Sequence, residues 1–464
     1  MEERLPQSGD PTEERQADEG EENSSRILTP GSIFRFWSPL AATWLMMSIE
    51  GPILTAVIAR LPHQEPNLAA YGVAFNIALF IEAPIIMILS AATALVKDRE
   101  SFLKLRNYTY GLNALLTLLM SLLALPFIFF PFAEGLLGLT PPVARLAHIG
   151  SILMIPWPAA IGFRRFYQGI LIRDNLTRLV AWGTVIRLTS IAGAAFLFWR
   201  GFHLEGIVVG AASLSVAVTA EAIAARLMVG KSMRRLLASE PKGKELTYRS
   251  ITSFYLPLAL TSIIGLGAPP MITLFMGRSQ MAIESLAVWP VLTGFVFLFR
   301  GIGLAWQEVV IALIGEDFEG YHPLKKFTAT ISLSTIAALS LVAFTPLASI
   351  WFRTVSGLKP ELAAFAMLPL QIMVLLPGTS SLLSFQRGVL VSSGRTKQIS
   401  ITTAIEVGLI ITILLILIPL MNMVGAVAAA IAVTIGRLIA NGYITIPYMK
   451  VVRQRKGETI SHST

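Results

Sequence analysis

Apolar residues in this chain come in long unbroken blocks, not in the one-faced or alternating patterns of a soluble fold. Runs of about 20 or more such residues recur about a dozen times, each long enough to cross a hydrocarbon core. They predict helices at about 34–59, 68–96, 107–132, 143–170, 178–199 and 204–228. A second set is predicted at about 251–276, 282–312, 326–351, 361–390, 399–420 and 424–449. A basic connector, KSMRRLLASEPKGKELTYR, separates them. The expected class is an all-α polytopic membrane protein with about twelve transmembrane helices in two pseudo-symmetric six-helix lobes. The expected domains are an acidic, disordered cytoplasmic tail (1–32), a first lobe (33–229), a basic cytoplasmic connector (230–250), a second lobe (251–450) and a cytoplasmic tail (451–464).

The two sets repeat each other. IFRFWSPLAATWLMMSIEGPILTAVIAR (33–60) lies over ITSFYLPLALTSIIGLGAPPMITLFMGR (251–278) without a gap, at a shift of 218 positions. Phe36 meets Phe254, Pro39 meets Pro257, Thr43 meets Thr261, Pro52 meets Pro270, Thr55 meets Thr273 and Arg60 meets Arg278. Further on, Leu68-Ala69-Ala70-Tyr71 meets Leu286-Ala287-Val288-Trp289, and Tyr167-Gln168 meets Phe385-Gln386. One inserted residue later, Thr177 meets Thr396 and Arg178 meets Lys397. Aligned prolines, threonines and polar turns separate this from chance matching of apolar helices. Duplicated blocks of kinked helices are how transporters build a site between two halves.

Composition agrees. The chain of 464 residues is 54% hydrophobic and 14% charged, with mean hydropathy +0.67. Soluble domains carry about 25% charged residues. There is no cysteine, which excludes disulfides and thiol chemistry. The five histidines are scattered and suggest no metal centre. The net charge of +9 reflects loops on one side of the membrane, so it does not point to nucleic acid. Loops after even-numbered helices hold Lys97, Arg99, Lys104 and Arg106, then Lys231, Arg234, Arg235 and others. Loops after odd-numbered helices hold few, such as Arg60, Arg200 and Arg278. The positive-inside rule therefore places both termini in the cytoplasm.

Ionisable side chains within membrane spans are costly and commonly functional. Glu82 (second helix) and Arg300 (eighth) share one repeat position with opposite charge. Arg187 (fifth) and Glu406 (eleventh) do the same. Either Glu82 pairs with Arg187 and Arg300 with Glu406 inside each lobe, or Glu82 meets Arg300 across a central cavity as a gate. These four are the candidates for substrate binding or gating. Glu50, before the Gly51-Pro52 break, and Glu308 are candidates for ion coupling; proline there should free a carbonyl and unwind the helix. Asn76, a natural helix–helix hydrogen-bonding residue, and Gln307 are secondary cavity candidates. Pro156, Pro158, Pro369 and Pro377 read as kinks, and Arg164, Arg165, Arg387 and Arg437 as snorkelling side chains near helix ends. There is no P-loop, HExxH or GxSxG, so an enzyme is not expected.

The blocks LAAYGVAFNIALFIEAP (68–84), SFYLPLAL (253–260), WQE (306–308) and LPLQIMVLLPG (368–378), followed by FQRGVLVSSGRTK, resemble the progressive ankylosis protein family. That family lies within the multidrug/oligosaccharidyl-lipid/polysaccharide exporter superfamily. The resemblance covers residues 33–450. It implies a twelve-helix, two-lobe, MATE-like fold that opens alternately to each side, and export of anions such as pyrophosphate, nucleotide triphosphate or citrate. Glu50 and Glu308 fall in blocks similar to acidic positions of the family, whereas Glu82 and Glu406 depart from its animal members. The expectation is an alternating-access secondary transporter exporting a small anionic metabolite, without cofactor but with coupling to protons or sodium. The alternatives are a proton- or sodium-coupled exporter of cationic drugs and a flippase for a lipid-linked saccharide. Its expected partners are the lipid bilayer and the solute, its state monomeric and its location a bacterial inner membrane.

Overall fold

The computed structural model describes residues 28–174, 176–201, 204–240, 246–315 and 318–462, and those residues are almost wholly helical. Thr29 opens α1 (Pro30–Ala59) with a capping box in which Thr29 and Ser32 satisfy each other's backbone N–H groups. After a turn come α2 (Gln64–Glu82) and α3 (Ile88–Leu95), then α4 (Arg99–Leu123). A short α5 (Pro126–Phe130) continues into a π-helical turn, Pro131–Leu136. Next are α6 (Pro141–Leu153), α7 (Trp157–Arg173), α8 (Thr177–Gly201) and α9 (Gly206–Met228). A surface helix, α10 (Gly230–Leu237), leads to the second half.

That half reproduces the first. Its elements are α11 (Tyr248–Met276), α12 (Ala282–Leu304), α13 (Trp306–Leu313), α14 (Tyr321–Ala343) and α15 (Leu347–Ile350), the last with its own π-helical turn, Trp351–Val355. They end with α16 (Pro360–Ile372), α17 (Leu376–Ser392), α18 (Lys397–Leu417) and α19 (Gly425–His462). The copying reaches backbone detail. Thr247 and Ser250 form the same capping box as Thr29 and Ser32. His63 and Met281, each just before its half's second helix, are both left-handed, at φ 55° and 51°. Gly138 and Gly357 close the two π-helical turns at φ 70° and 73°, where a Cβ would be strained. Helices α7 and α17 start at Trp157 and Leu376, so the inserted residue falls before them. Phe166 then meets Phe385 and Gly169 meets Gly388, one position from the alignment expected at Tyr167-Gln168.

Among the described residues ten helical stretches are long and apolar enough to span a membrane, and eleven if α4 and α5 with its π-turn, bent by 75°, count as one. The remaining expected span, α2 with α3, begins with polar Gln64-Glu65-Pro66-Asn67 and is interrupted at 83–87. The chain is an integral membrane protein, with leucines such as Leu118, Leu333 and Leu415 facing outward. Several boundaries differ from expectation. The first helix already includes residues 30–32, the connector contains α10, and α19 runs on through the expected C-terminal tail. The acidic centre of the N-terminal tail lies outside the described residues. Gly51-Pro52 does not unwind α1, which is continuous, as is α11 through Pro269 and Pro270. The breaks fall instead in the second helix of each half, at 83–87 and at Ala305, and between α6–α7 and α16–α17. Pro84 removes a donor at the first of these.

The halves meet where α12 packs against both α1 and α2, and where α2 packs against α11. On α12, Gly294 and Gly301 face α1, where an added Cβ would come into ordinary contact with Pro52 Cδ and Ser48 Oγ at 3.4 Å, and Gly72 of α2 faces α12 more tightly, where a Cβ would meet Pro290 Cγ at 3.3 Å. Small residues permit this approach where apolar burial gives helices little reason to associate. Gly294 shares a repeat position with Asn76, and Asn76 bridges α2 to α11 by donating to Thr273 Oγ1 at 2.7 Å.

Candidate functional site

Buried charges gather into one cluster per half, and neither follows the expected pairing. In the first half Arg187, on α8, sits between two acids. Its Nη2 is 2.6 Å from Glu50 Oε1 on α1, and its Nη1 is 3.5 Å from Glu221 Oε2 on α9. Glu221 is 1% exposed and also receives Arg164 Nη1 at 2.5 Å and Gln168 Nε2 at 3.2 Å, both from α7. Glu82, the last residue of α2, accepts from the indole N–H of Trp157, over whose ring the Arg187 guanidinium lies at 5.6 Å. Arg165 and Arg164 lie within electrostatic range of Glu82. Three acidic residues (Glu50, Glu82, Glu221) thus face three arginines (Arg164, Arg165, Arg187), equal in number.

The second half differs. Glu406 on α18 pairs with Arg437 on α19, with Nε and Oε1 2.7 Å apart. Arg300 has a neutral partner: its Nε donates to Ser380 Oγ on α17 at 3.1 Å. Arg387 donates from Nη2 to Thr403 Oγ1 at 3.1 Å. Both are within electrostatic range of Arg437 and of Glu406. Three arginines share one carboxylate, which leaves two positive charges uncompensated. Unbalanced charge away from water is costly, and a bound anion would offset it.

Sequence-predicted residues are therefore brought together in new combinations. Glu82 does not pair with Arg187, Arg300 does not pair with Glu406, and Glu82 does not meet Arg300. Glu50, a candidate for ion coupling, forms an ion pair with Arg187. Asn76 makes a helix–helix hydrogen bond. Glu308 is exposed near the start of α13, with no ion pair among the described residues, and neighbouring Gln307 is half-buried. Arg164, expected to snorkel, is 5% exposed and paired inside the protein. Sequence reasoning missed Glu221 altogether. Its signal was present: a lone acid within the apolar run VAVTAEAIAA (216–225). Arg437 interrupts the apolar α19 similarly, at Ile-Gly-Arg-Leu.

No protein-family model matches the sequence, and no curated protein matches it. Solved structures do. An inward-facing multidrug resistance MATE family transporter of the MOP superfamily superposes with TM-score 0.63 at 15% identity, over 89% of this chain and 95% of that one. The lipid II flippase MurJ, in an inward closed conformation, gives TM-score 0.66 at 14% identity over 90% of each chain. A mutant of the Vibrio cholerae MATE transporter VcmN gives 0.63 at 16% identity, over 91% of this chain and 96% of that one. At such identities the likeness is one of architecture: this chain has the fold of MOP-superfamily transporters.

Proposed function

We propose that this protein is an alternating-access secondary transporter that exports a small anionic metabolite, of pyrophosphate, nucleotide or citrate type, from the cytoplasm. The observation that carries the reading is the charge imbalance of the second half, where Arg300, Arg387 and Arg437 share Glu406. A guanidinium held only by a hydroxyl keeps donors for an incoming oxyanion, and arginine presents them in a fork that matches carboxylate and phosphate. An anion drawn to Arg300 and Arg387 competes with Glu406 for Arg437. Loosening that α18–α19 pair gives the solute a differential interaction with two conformations, which is what a ligand needs to shift their populations. Glu308, an exposed carboxylate within a span, is placed to exchange a coupling ion. The balanced first-half cluster acts as the fixed frame. This reading agrees with the resemblance to the progressive ankylosis family and with the transporters that share the fold.

The test is flux from proteoliposomes loaded with labelled citrate, pyrophosphate or ATP, with a cationic dye in parallel and a pH gradient imposed or absent. Anion flux that disappears in Arg300→Ala is expected. Dye flux alone, abolished by Glu82→Gln, would replace the reading with cation export. Anion flux unchanged in Arg300→Ala would remove the arginines from the site.

A further inference from the structure

The repeat places one arginine at the end of each half's first helix, and each crosses to the other half. Arg60, the C-cap of α1, donates from Nη2 to the carbonyls of Thr354 at 2.7 Å and Val355 at 2.9 Å. Its Nη1 holds Ala56 O of its own helix at 2.7 Å. Arg278, at the same repeat position after α11, donates from Nη2 to Gly135 O at 2.7 Å. The acceptors belong to the two π-helical turns, Trp351–Val355 and Pro131–Leu136. Residues at the end of a helix leave carbonyls without intrahelical partners, so each turn offers acceptors and the opposite half supplies the cation. Both contacts lie at the end of the molecule opposite the termini, since α1 finishes there.

The backbone around each clasp is shaped for it. Left-handed Gly357 and Gly138 sit directly against the arginines: a Cβ on Gly357 would lie 2.9 Å from Arg60 Nη1, and one on Gly138 2.8 Å from Arg278 Cγ. On the Arg60 side Gln64 adds a second bridge, donating to Gly357 O at 2.8 Å and accepting from Lys359 N at 3.0 Å. On the Arg278 side Gly277 packs so tightly under Leu137 that a Cβ would stand 2.1 Å from its carbonyl oxygen. The other end of the interface also has a repeat-related pair, but of neutral groups. Trp37 Nε1 donates to Ile302 O at 3.3 Å, and Tyr255 Oη donates to Pro84 O. Trp37 and Tyr255 share a repeat position, and so do Pro84 and Ile302. Hydrogen bonds from a charged donor are worth about twice neutral ones.

We propose that Arg60 and Arg278 form a two-point clasp that holds the end opposite the termini closed, and that both must release their carbonyls before that end opens. The proposal rests on the alternating-access reading for its purpose, not for its geometry. Because the chain has no cysteine, it can be spin-labelled at chosen sites without background. Glu134 and Glu361 are exposed, lie at this end and belong to opposite halves. The experiment measures the distance distribution between labels at Glu134→Cys and Glu361→Cys in nanodiscs, with Arg60 and Arg278 intact and with both changed to Ala. A longer-distance population should grow, by about tenfold or more in open-to-closed ratio for each arginine lost. Should the Ala pair not fold, Arg60→Lys with Arg278→Lys serves, because one ammonium cannot reproduce the planar fork. It should shift the distribution the same way by less. A parent-like distribution in either folded pair overturns the clasp. The measurement needs no solute. A parent protein that moves none of the test solutes would therefore defeat the transport reading while the distances still decide the clasp.

Discussion

The two halves share a backbone plan and differ in how they handle buried charge. In the first half the fifth helix carries the arginine and the sixth the acid, Arg187 and Glu221; in the second the fifth carries the acid and the sixth the arginine, Glu406 and Arg437. The first half then adds Glu50 and Glu82 against Arg164 and Arg165, whereas the second adds only Arg300 and Arg387. The contrast teaches that duplication preserves where helices start, break and cap. It does not preserve the sign of the charge a repeat position carries. One half matches its buried acids and bases in number, and the other keeps three arginines against one acid.

The sharpest way to break this comparison is to remove the central acid of each cluster. Glu221→Gln strips a fully buried carboxylate of its charge beside Arg164 and Arg187, and should cost about 3–5 kcal/mol, the scale for orphaning a buried pair. It should appear as a large fall in melting temperature in detergent. Glu406→Gln should also destabilise, but added pyrophosphate or citrate should restore much of its melting temperature and none of that of Glu221→Gln. Equal rescue of both would show that the two clusters are alike.

Charge reversal at the shared repeat position separates the halves next. Glu82→Arg places a fourth arginine among Arg164, Arg165 and Arg187 and leaves the Trp157 N–H without its acceptor, so melting temperature and yield should drop. Arg300→Glu puts a carboxylate near Arg387 and Arg437, and should keep or raise the melting temperature while abolishing anion flux. A folded, transport-competent Arg300→Glu protein would contradict the role of these arginines in binding an anion.

Packing gives a smaller contrast. Gly169 and Gly388 share a repeat position after the insertion. A Cβ on Gly169 would meet the backbone oxygen of Leu89 at 2.6 Å, while one on Gly388 would meet the Val310 side chain at 2.7 Å. Overpacking costs about 1–3 kcal/mol, and Gly169→Ala should lie at the upper end because two of its nearest atoms, Leu89 O and Thr93 N, are backbone, against one for Gly388, Gln307 O. The smallest effect should be one that does not distinguish the halves. Thr29→Ala and Thr247→Ala each remove an N-cap worth about 1 kcal/mol, and their losses of melting temperature should agree. Unequal losses would mean that the two capping boxes are not equivalent despite their matching geometry.

Much of the fold was legible because it depends on local rules. Each long apolar block became helix, Thr29 and Thr247 began the first helix of each half, and the prolines at 126, 141 and 360 stand at helix starts. The breaks were less legible. Pro52 and Pro270 pass within continuous helices, yet α12 ends near Ala305 without a proline, because neighbouring helices decide whether freed backbone groups find partners. The site was legible as a set of residue types and not as a set of partners. Glu50, Glu82, Arg187, Arg300 and Glu406 all proved to belong to buried clusters, and so did Arg164, Arg165, Arg387 and Arg437, whose short distance from a helix end suggests snorkelling.

By itself the sequence determined the membrane as solvent, the duplication, the order of the long apolar helices and the rarity of the charges, since each follows from hydropathy, capping and chain-local geometry. Only the tertiary structure decided which charge meets which. Arg187 and Glu50 are 137 positions apart and Arg60 and Thr354 are 294 apart. Whether such groups touch depends on how each helix is rotated and tilted against its neighbours, which is fixed by close packing at residues such as Gly72 and Gly277 and not by any pattern along one helix.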